Sequence, residues 1–243
     1  MKKVFLSIAA VCFLGVVANA QSKSSTSSDL TGRAADHLMF QFGTDTWLNT
    51  PDSVKLGGGT SRHFNMYFMY DKPFKTNKHY SLAYGGGIGT SNIFFDNHTN
   101  VDLKSTAATL PFRKIDASAN HFDKVKVATI YLQAPIEIRY YSNPENPGKS
   151  WKYAAGVKAG FLYKSYTKSK NWVNSAGNSI YGKSYVVKEA NKRFFNATDI
   201  SLTGRAGYGI FSLDVGYQVT GVLRDGYGPV MNRFSVGFTI SGL

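Results

Sequence analysis

Asp45, Ser61 and His63 carry the three side chains of a nucleophilic triad. A hydroxyl attacks, an imidazole takes its proton and a carboxylate orients the imidazole. All three fall on one parity of the first two alternating segments. No nucleophile elbow or other catalytic motif surrounds Ser61, so no enzyme activity is expected. His37, His79, His98 and His121 show no metal-ligand spacing, and neither a metal nor a cofactor is expected. A second constellation is electrostatic. Glu137, Lys158, Arg205 and Asp214 lie on four successive segments, on the same side and at similar height, which predicts an ion-pair network. A third is a charge run over 167–196. There Lys168, Lys170, Lys183, Lys188, Lys192 and Arg193 face a lone Glu189, with Trp172, Tyr181 and Tyr185 interleaved. Such a surface attracts polyanions.

These residues must be positioned by strands. Eight segments alternate with a period of two. They are "HLMFQFGTDTWL", "HFNMYFMYD", "YSLAYGGGIGT", "IYLQAPIEIRYY", "WKYAAGVKAGFLYK", "ISLTGRAGY", "FSLDVGYQVTG" and "RFSVGFTISGL". In each, one face is apolar and free of Asp, Glu, Lys and Arg. Every charge in these segments sits on the other face, among glycine, serine, threonine and amides. A soluble barrel or sandwich shows the reverse, with bulky apolar side chains inward and charge outward. An uncharged exterior suits strands that face hydrocarbon, where a midplane Arg or Lys costs roughly 2–4 kcal/mol. A small-residue interior suits a narrow closed barrel. The fold class predicted is therefore all-β, an eight-stranded antiparallel transmembrane up-and-down barrel. A ten-stranded wall is the alternative if the link 96–123 hides a hairpin.

The ends of the segments collect aromatics: Trp47, Tyr70, Phe74, Tyr80, Phe94, Phe95, Tyr140, Tyr141, Trp151, Tyr153, Tyr163, Tyr166 and Tyr208. Ring systems with a polar handle prefer the membrane interface, which predicts two girdles. The links alternate in length. "KTNK", "NPENPGKS" and the step at Gly209 are short, whereas 49–60, 96–123, 167–196 and 224–232 are long. Short turns on the periplasmic side and long loops outside are the outer-membrane pattern. Pro135 removes one ladder hydrogen bond and is expected at a bulge or a rim.

The first twenty residues supply the route. Lys2 and Lys3 precede an apolar run, Val4 to Val17, closed by "ANAQ", which reads as a secretory signal over 1–20. A polar, flexible lead-in follows over 21–35, and the barrel domain occupies 36–243. The only cysteine, Cys12, lies within the signal, so no disulfide is expected after cleavage. The 28 Lys and Arg become 26 once Lys2 and Lys3 are removed, against 15 Asp and Glu, a net charge of +11. Export disfavours nucleic acid as a partner, although basic and aromatic residues occur together. Outer-membrane lipid and lipopolysaccharide are the expected partners of the basic surface, and the barrel is expected to be monomeric.

"IYLQAPIEIRYY" followed by "YAAGVKAGFL" resembles the PorT-like outer-membrane β-barrel proteins of Bacteroidetes. Tyr131, Leu132, Pro135, Gly156, Lys158, Gly160 and Phe161 carry the likeness, while Gln133 and Ala134 depart from the usual acidic-Ile pair. The resemblance implies an outer-membrane barrel whose namesake works in protein secretion. Three functions follow in order: a structural or interaction barrel with a plugged lumen, a component of a secretion or envelope-assembly machine, and a lipid-modifying enzyme resting on Ser61 and His63.

Overall fold

A computed structural model describes residues 37–57, 61–96, 98–116 and 118–242; the predicted signal and lead-in lie outside them. Eleven strands follow in order: β1 (Leu38–Leu48), β2 (Arg62–Pro73), β3 (Tyr80–Phe95), β4 (Thr99–Val101), β5 (Phe112–Lys114), β6 (His121–Tyr141), β7 (Trp151–Val173), β8 (Val186–Ala190), β9 (Thr198–Tyr208), β10 (Phe211–Gln218) and β11 (Asn232–Ser241). Eight of them form a ring. β1 pairs with β2, and the pairing then runs through β3, β6, β7, β9, β10 and β11. β11 returns to β1, from Met39 opposite Ser241 to Leu48 opposite Asn232. All pairs are antiparallel, so the sheet closes without an edge, as hydrocarbon requires.

The loop after β3 does hold a hairpin, β4–β5, but it forms a separate two-stranded sheet and leaves the wall at eight strands. The 167–196 run begins differently from its sequence reading. β7 continues to Val173 and β8 folds back on it, with Lys168 opposite Lys188, so residues 167–173 and 186–190 of the expected loop are strand. β6 and β7 span 21 and 23 residues, about twice what a tilted strand needs to cross a bilayer. They project well past the hydrocarbon.

The crossing section is legible on β6. Leu132, Ala134, Ile136 and Ile138 face out, and Tyr140 closes the row below. From Tyr140 to Ile130 is roughly 33 Å of strand, or about 25 Å of height at the usual tilt, matching the hydrocarbon band of such barrels. At the short-turn end the rings meet in three groups, Tyr70–Tyr84, Tyr80–Tyr140–Tyr153 and Trp151–Tyr208, with centroids from 5.2 Å for Tyr80–Tyr140 to 6.3 Å for Tyr140–Tyr153. This is a girdle. Three aromatics expected in the girdles point inward instead. Tyr141 is buried in the lumen, and Trp47 and Phe95 meet edge to face at 5.6 Å inside the long-loop end.

That end has its own apolar core. Trp47, Ile93, Phe95, Val125, Val127 and Leu162 from the wall pack with Val54, Val101, Leu103, Leu110, Phe194, Phe195, Val222, Leu223 and Met231 from the loops. The loops thus form a dry cap over the barrel mouth. Its construction depends on one irregularity. Ile130 pairs with Lys164 but Tyr131 pairs with Leu162, so Tyr163 is an extra residue in β7. A bulge of this kind reverses which parity faces in. Below it Lys152, Lys158 and Leu162 are the buried set; above it Ser165, Thr167 and Ser169 are buried while Lys164, Lys168 and Lys170 are exposed. Pro135 sits at neither a bulge nor a rim. It lies mid-wall, in a gap of the β3–β6 ladder between the Tyr84–Ile136 and Gly87–Gln133 rungs. The gap removes the need for its missing N–H.

Candidate functional site

The lumen is filled by side chains that cross it. Tyr67 on β2 donates to Gln133 Oε1 on β6 at 2.6 Å; Gln133 Nε2 donates to Asp199 on β9 at 2.9 Å; Arg233 on β11 donates to the same carboxylate at 2.8 Å. The interior glycines of β3 make this possible: a Cβ on Gly89 would collide with Gln133 Oε1, and one on Gly87 would lie 2.7 Å from Tyr67 Cδ1. Lower down, Glu137 accepts from Arg139 Nε at 2.9 Å and from Arg205 Nη2 at 3.0 Å, and Arg205 Nη1 donates to Ser241 at 3.0 Å. Tyr141 donates to Asp71 at 3.2 Å. The space among Arg139, Tyr141, Lys152 and Arg205 is too small for a water molecule. Paired, hydrogen-bonded charges tolerate such burial, whereas an isolated one does not.

Of the four residues expected to form one network, Glu137 and Arg205 meet directly. Lys158 lies instead over the Tyr67 ring, 5.8 Å from its centroid. Asp214 is the rung partner of Arg205 but accepts from Thr239 Oγ1 at 2.9 Å, and Thr239 in turn accepts from Gln41 Nε2 at 3.0 Å. Sequence reasoning placed Arg139 inward without assigning it a partner. It passed over Asp199, one residue before the sixth segment as drawn, and Arg233, which shares the inward parity of Ser235.

The triad ingredients separate. His63 Nδ1 lies 2.7 Å from Asp45 Oδ1, and Ser91 donates to the other oxygen of that carboxylate. Ser61 Oγ accepts from the Phe94 backbone N–H at 3.0 Å. All four side chains are buried. Thus the imidazole–carboxylate pair is present, but the serine on it is Ser91, bound to the carboxylate rather than the ring.

Outside, above the Ile130–Lys164 rung, stands a basic face. Lys126 on β6 pairs with Lys168 on β7, which pairs with Lys188 on β8; Lys124 pairs with Lys170 one step higher. Phe94 completes the lower row, with Lys126 Nζ 5.4 Å and Arg62 5.7 Å from its ring. Lys126 also donates to Asn92 at 2.7 Å, and Lys188 sits 4.0 Å over Tyr166. Partial burial, and then the charges of Lys168, Arg62 and Lys188, hold the Lys126 ammonium below the ordinary lysine range. The other members of the basic run divide. Lys183 lies in the tip between β7 and β8, and Lys192 approaches the Tyr163 ring at 6.0 Å. Arg193 donates to the Ser105 and Ala107 carbonyls at 3.3 and 3.0 Å and so ties two cap loops together.

A closed eight-stranded ring with an apolar belt, an aromatic girdle, a polar interior and long loops at one end defines a transmembrane β-barrel of the bacterial outer-membrane class. The family comparison agrees: residues 20–223 match the family described as outer membrane protein beta-barrel domain, and the chain belongs to that family. It is a small outer-membrane barrel protein, and the short turns are therefore periplasmic and the cap external. β11, which lies beyond the matched residues, completes the ring. A comparison with curated proteins found none that matches.

Proposed function

We propose that this protein is a sealed, monomeric outer-membrane barrel whose work is structural and interactive: it anchors a folded external cap and presents a basic face to outer-membrane lipid and lipopolysaccharide. The observation that carries this reading is the double closure. Side chains from β2, β6, β9 and β11 cross-link the lumen, and an apolar cap covers its outer mouth. Eight strands leave little bore to begin with. Solutes have no path, and the role falls to the surfaces. The reading includes no catalysis, because Ser61 is engaged by the backbone of Phe94 rather than by His63. Planar-bilayer recording of the folded protein tests the seal. No steady conductance is expected, and a stable ionic current through the intact barrel would overturn the reading.

A second reading draws on the PorT-like resemblance at Tyr131, Leu132, Pro135, Gly156, Lys158, Gly160 and Phe161. It is favoured by exposed apolar side chains on the external loops, Ile180, Tyr181 and Val230, which suit contact with another protein. In it the cap docks onto a secretion or envelope-assembly component. Crosslinking from Tyr181 on whole cells would return a large envelope protein if this holds, and lipid alone if it does not.

A further inference from the structure

The three-lysine row is an energetic oddity. Like charges directly opposite one another across strands destabilise a sheet, yet Lys126, Lys168 and Lys188 stand side by side, with Lys124 beside Lys170 above them. The neighbouring acids do not relieve it. Asp123 and Glu189 have the opposite parity on their strands, and Glu189 is the rung partner of the buried Thr167. Among the described residues, none of the five lysines has a carboxylate within ion-pair distance. A sheet that tolerates this arrangement is suited to an external anion.

The same strands carry a second feature, lower down. On the lipid face of β3, β6 and β7, Gly86, Ala134 and Ala159 form the floor of a shallow open depression, and Ile88, Leu132 and Phe161 rim it. A Cβ on Gly86 would have no atom nearer than 3.9 Å. The depression begins at Leu132, one outward step below the Ile130–Lys164 rung and inside the hydrocarbon band. Its floor is apolar, and none of the described residues covers it. A ligand that touches both features needs anionic groups at headgroup height and a chain of hydrocarbon directly beneath.

From this geometry we infer that the β3–β6–β7–β8 sector is a specific site for an outer-leaflet glycolipid with more than one phosphate, the phosphates on Lys126, Lys168, Lys188 and Arg62 and one acyl chain in the Gly86–Ala134–Ala159 depression. The width of the cationic row favours several phosphates over one. Lys126 to Lys188 covers two inter-strand steps, about 10 Å, and Arg62 lies two strands further on the other side. A single phosphodiester cannot bridge that span. Compact ammonium groups suit phosphate as point charges. The inference rests on the lipopolysaccharide contact proposed above and makes it local, selective and stoichiometric.

Native mass spectrometry of the detergent-purified mature protein tests it, with diphosphoryl lipid A as the probe and phosphatidylglycerol, fully dephosphorylated lipid A and inorganic phosphate as competitors. One diphosphoryl lipid A is expected to remain bound, with at least 10-fold preference over each competitor. The K126Q/K168Q/K188Q variant is expected to lose at least 10-fold in retention, and Ala159→Leu, which fills the depression and touches no charge, several-fold. Heat-modifiable gel mobility establishes that each variant is folded; should the triple variant not fold, Ala159→Leu and the single glutamine variants decide. Equal retention by folded variants would overturn the site. So would equal binding of phosphatidylglycerol, which lacks the second phosphate, or of inorganic phosphate, which would make the depression irrelevant. A folded, non-conducting barrel without lipid A preference sinks this inference alone, whereas a conducting barrel sinks the sealed-lumen reading instead.

Discussion

β6 passes through two solvents, and its two halves are built to opposite rules. In the membrane half Leu132, Ile136 and Ile138 face out while Gln133, Glu137 and Arg139 face in. In the external half Lys124 and Lys126 face out while Val125 and Val127 face in, packed with Phe194, Phe195 and Leu223. β3 repeats the change, from buried Ser81 below to buried Ile93 and Phe95 above. The period of two never changes. What changes is the medium outside, and each half places on its exterior whatever that medium solvates best. The interior of each half is then what remains: a satisfied polar network below, a packed apolar core above.

β7 reaches the same result by a different route. Its inward residues below and outward lysines above have the same even parity, and Tyr163 is the extra residue that separates them. Because the flanking rungs are Tyr131–Leu162 and Ile130–Lys164, deleting Tyr163 would restore strict alternation and leave the lysines outside. The most severe way to break the comparison is to give the inner row the residue type of the outer one. Val127→Lys places a lysine in the apolar cap core, and an unpaired buried cation costs several kcal/mol. The cap is expected to open while the membrane half persists. Trypsin on intact cells should then cut the external loops, with heat-modifiable mobility retained. Val127→Leu keeps the row apolar and should leave the loops resistant. Protection of the loops in the Val127→Lys variant would show that the cap interior is not dry.

A smaller effect is expected in the lower half. Glu137 holds two guanidinium groups, those of Arg139 and Arg205. Removing it takes a buried carboxylate partner from both, and Glu137→Ala is predicted to cost about 3–5 kcal/mol. Urea unfolding in lipid vesicles measures the loss. Adding Arg205→Met to Glu137→Ala should recover part of it, since one stranded charge leaves with the side chain. A cost under about 1 kcal/mol would mean that water reaches the lumen.

Much of the membrane half could be read from the chain itself. Parity, uncharged exteriors and alternating link lengths pointed to eight antiparallel strands, and Glu137 and Arg205 were placed on one side at one height. The external half was less legible for a physical reason. Alternation reports two faces without saying which solvent each meets, so Lys168, Lys170 and Lys188 read as loop when they are strand above the bilayer. Aromatics at strand ends have the same composition whether they face lipid headgroups, as Tyr80 and Tyr140 do, or a dry cap, as Trp47 and Phe95 do. The bulge at Tyr163 leaves no local mark, because Tyr163 and Lys164 are both acceptable outside. The Arg233–Asp199 pair depends on register between strands that are not neighbours, which no single segment contains.

The gentlest test separates stability from binding within the external half. Lys168 stands between Lys126 and Lys188, so Lys168→Glu replaces two repulsive rungs by two attractive ones. Opposite-charge rungs contribute roughly 0.2–1 kcal/mol each relative to neutral ones, and exposure keeps the total near the lower end. The variant should therefore resist urea slightly better than the parent in detergent, by up to about 1 kcal/mol, with the gain shrinking at high salt as screening grows. Its retention of diphosphoryl lipid A should fall at the same time, because the new carboxylate occupies the centre of the cationic row. If the lysines stand together only because exposed charge there is inconsequential, neither quantity will move. If they stand together to hold an anion, the two must move in opposite directions, and the parent will be seen to sacrifice sheet stability for a surface that a phosphorylated lipid completes.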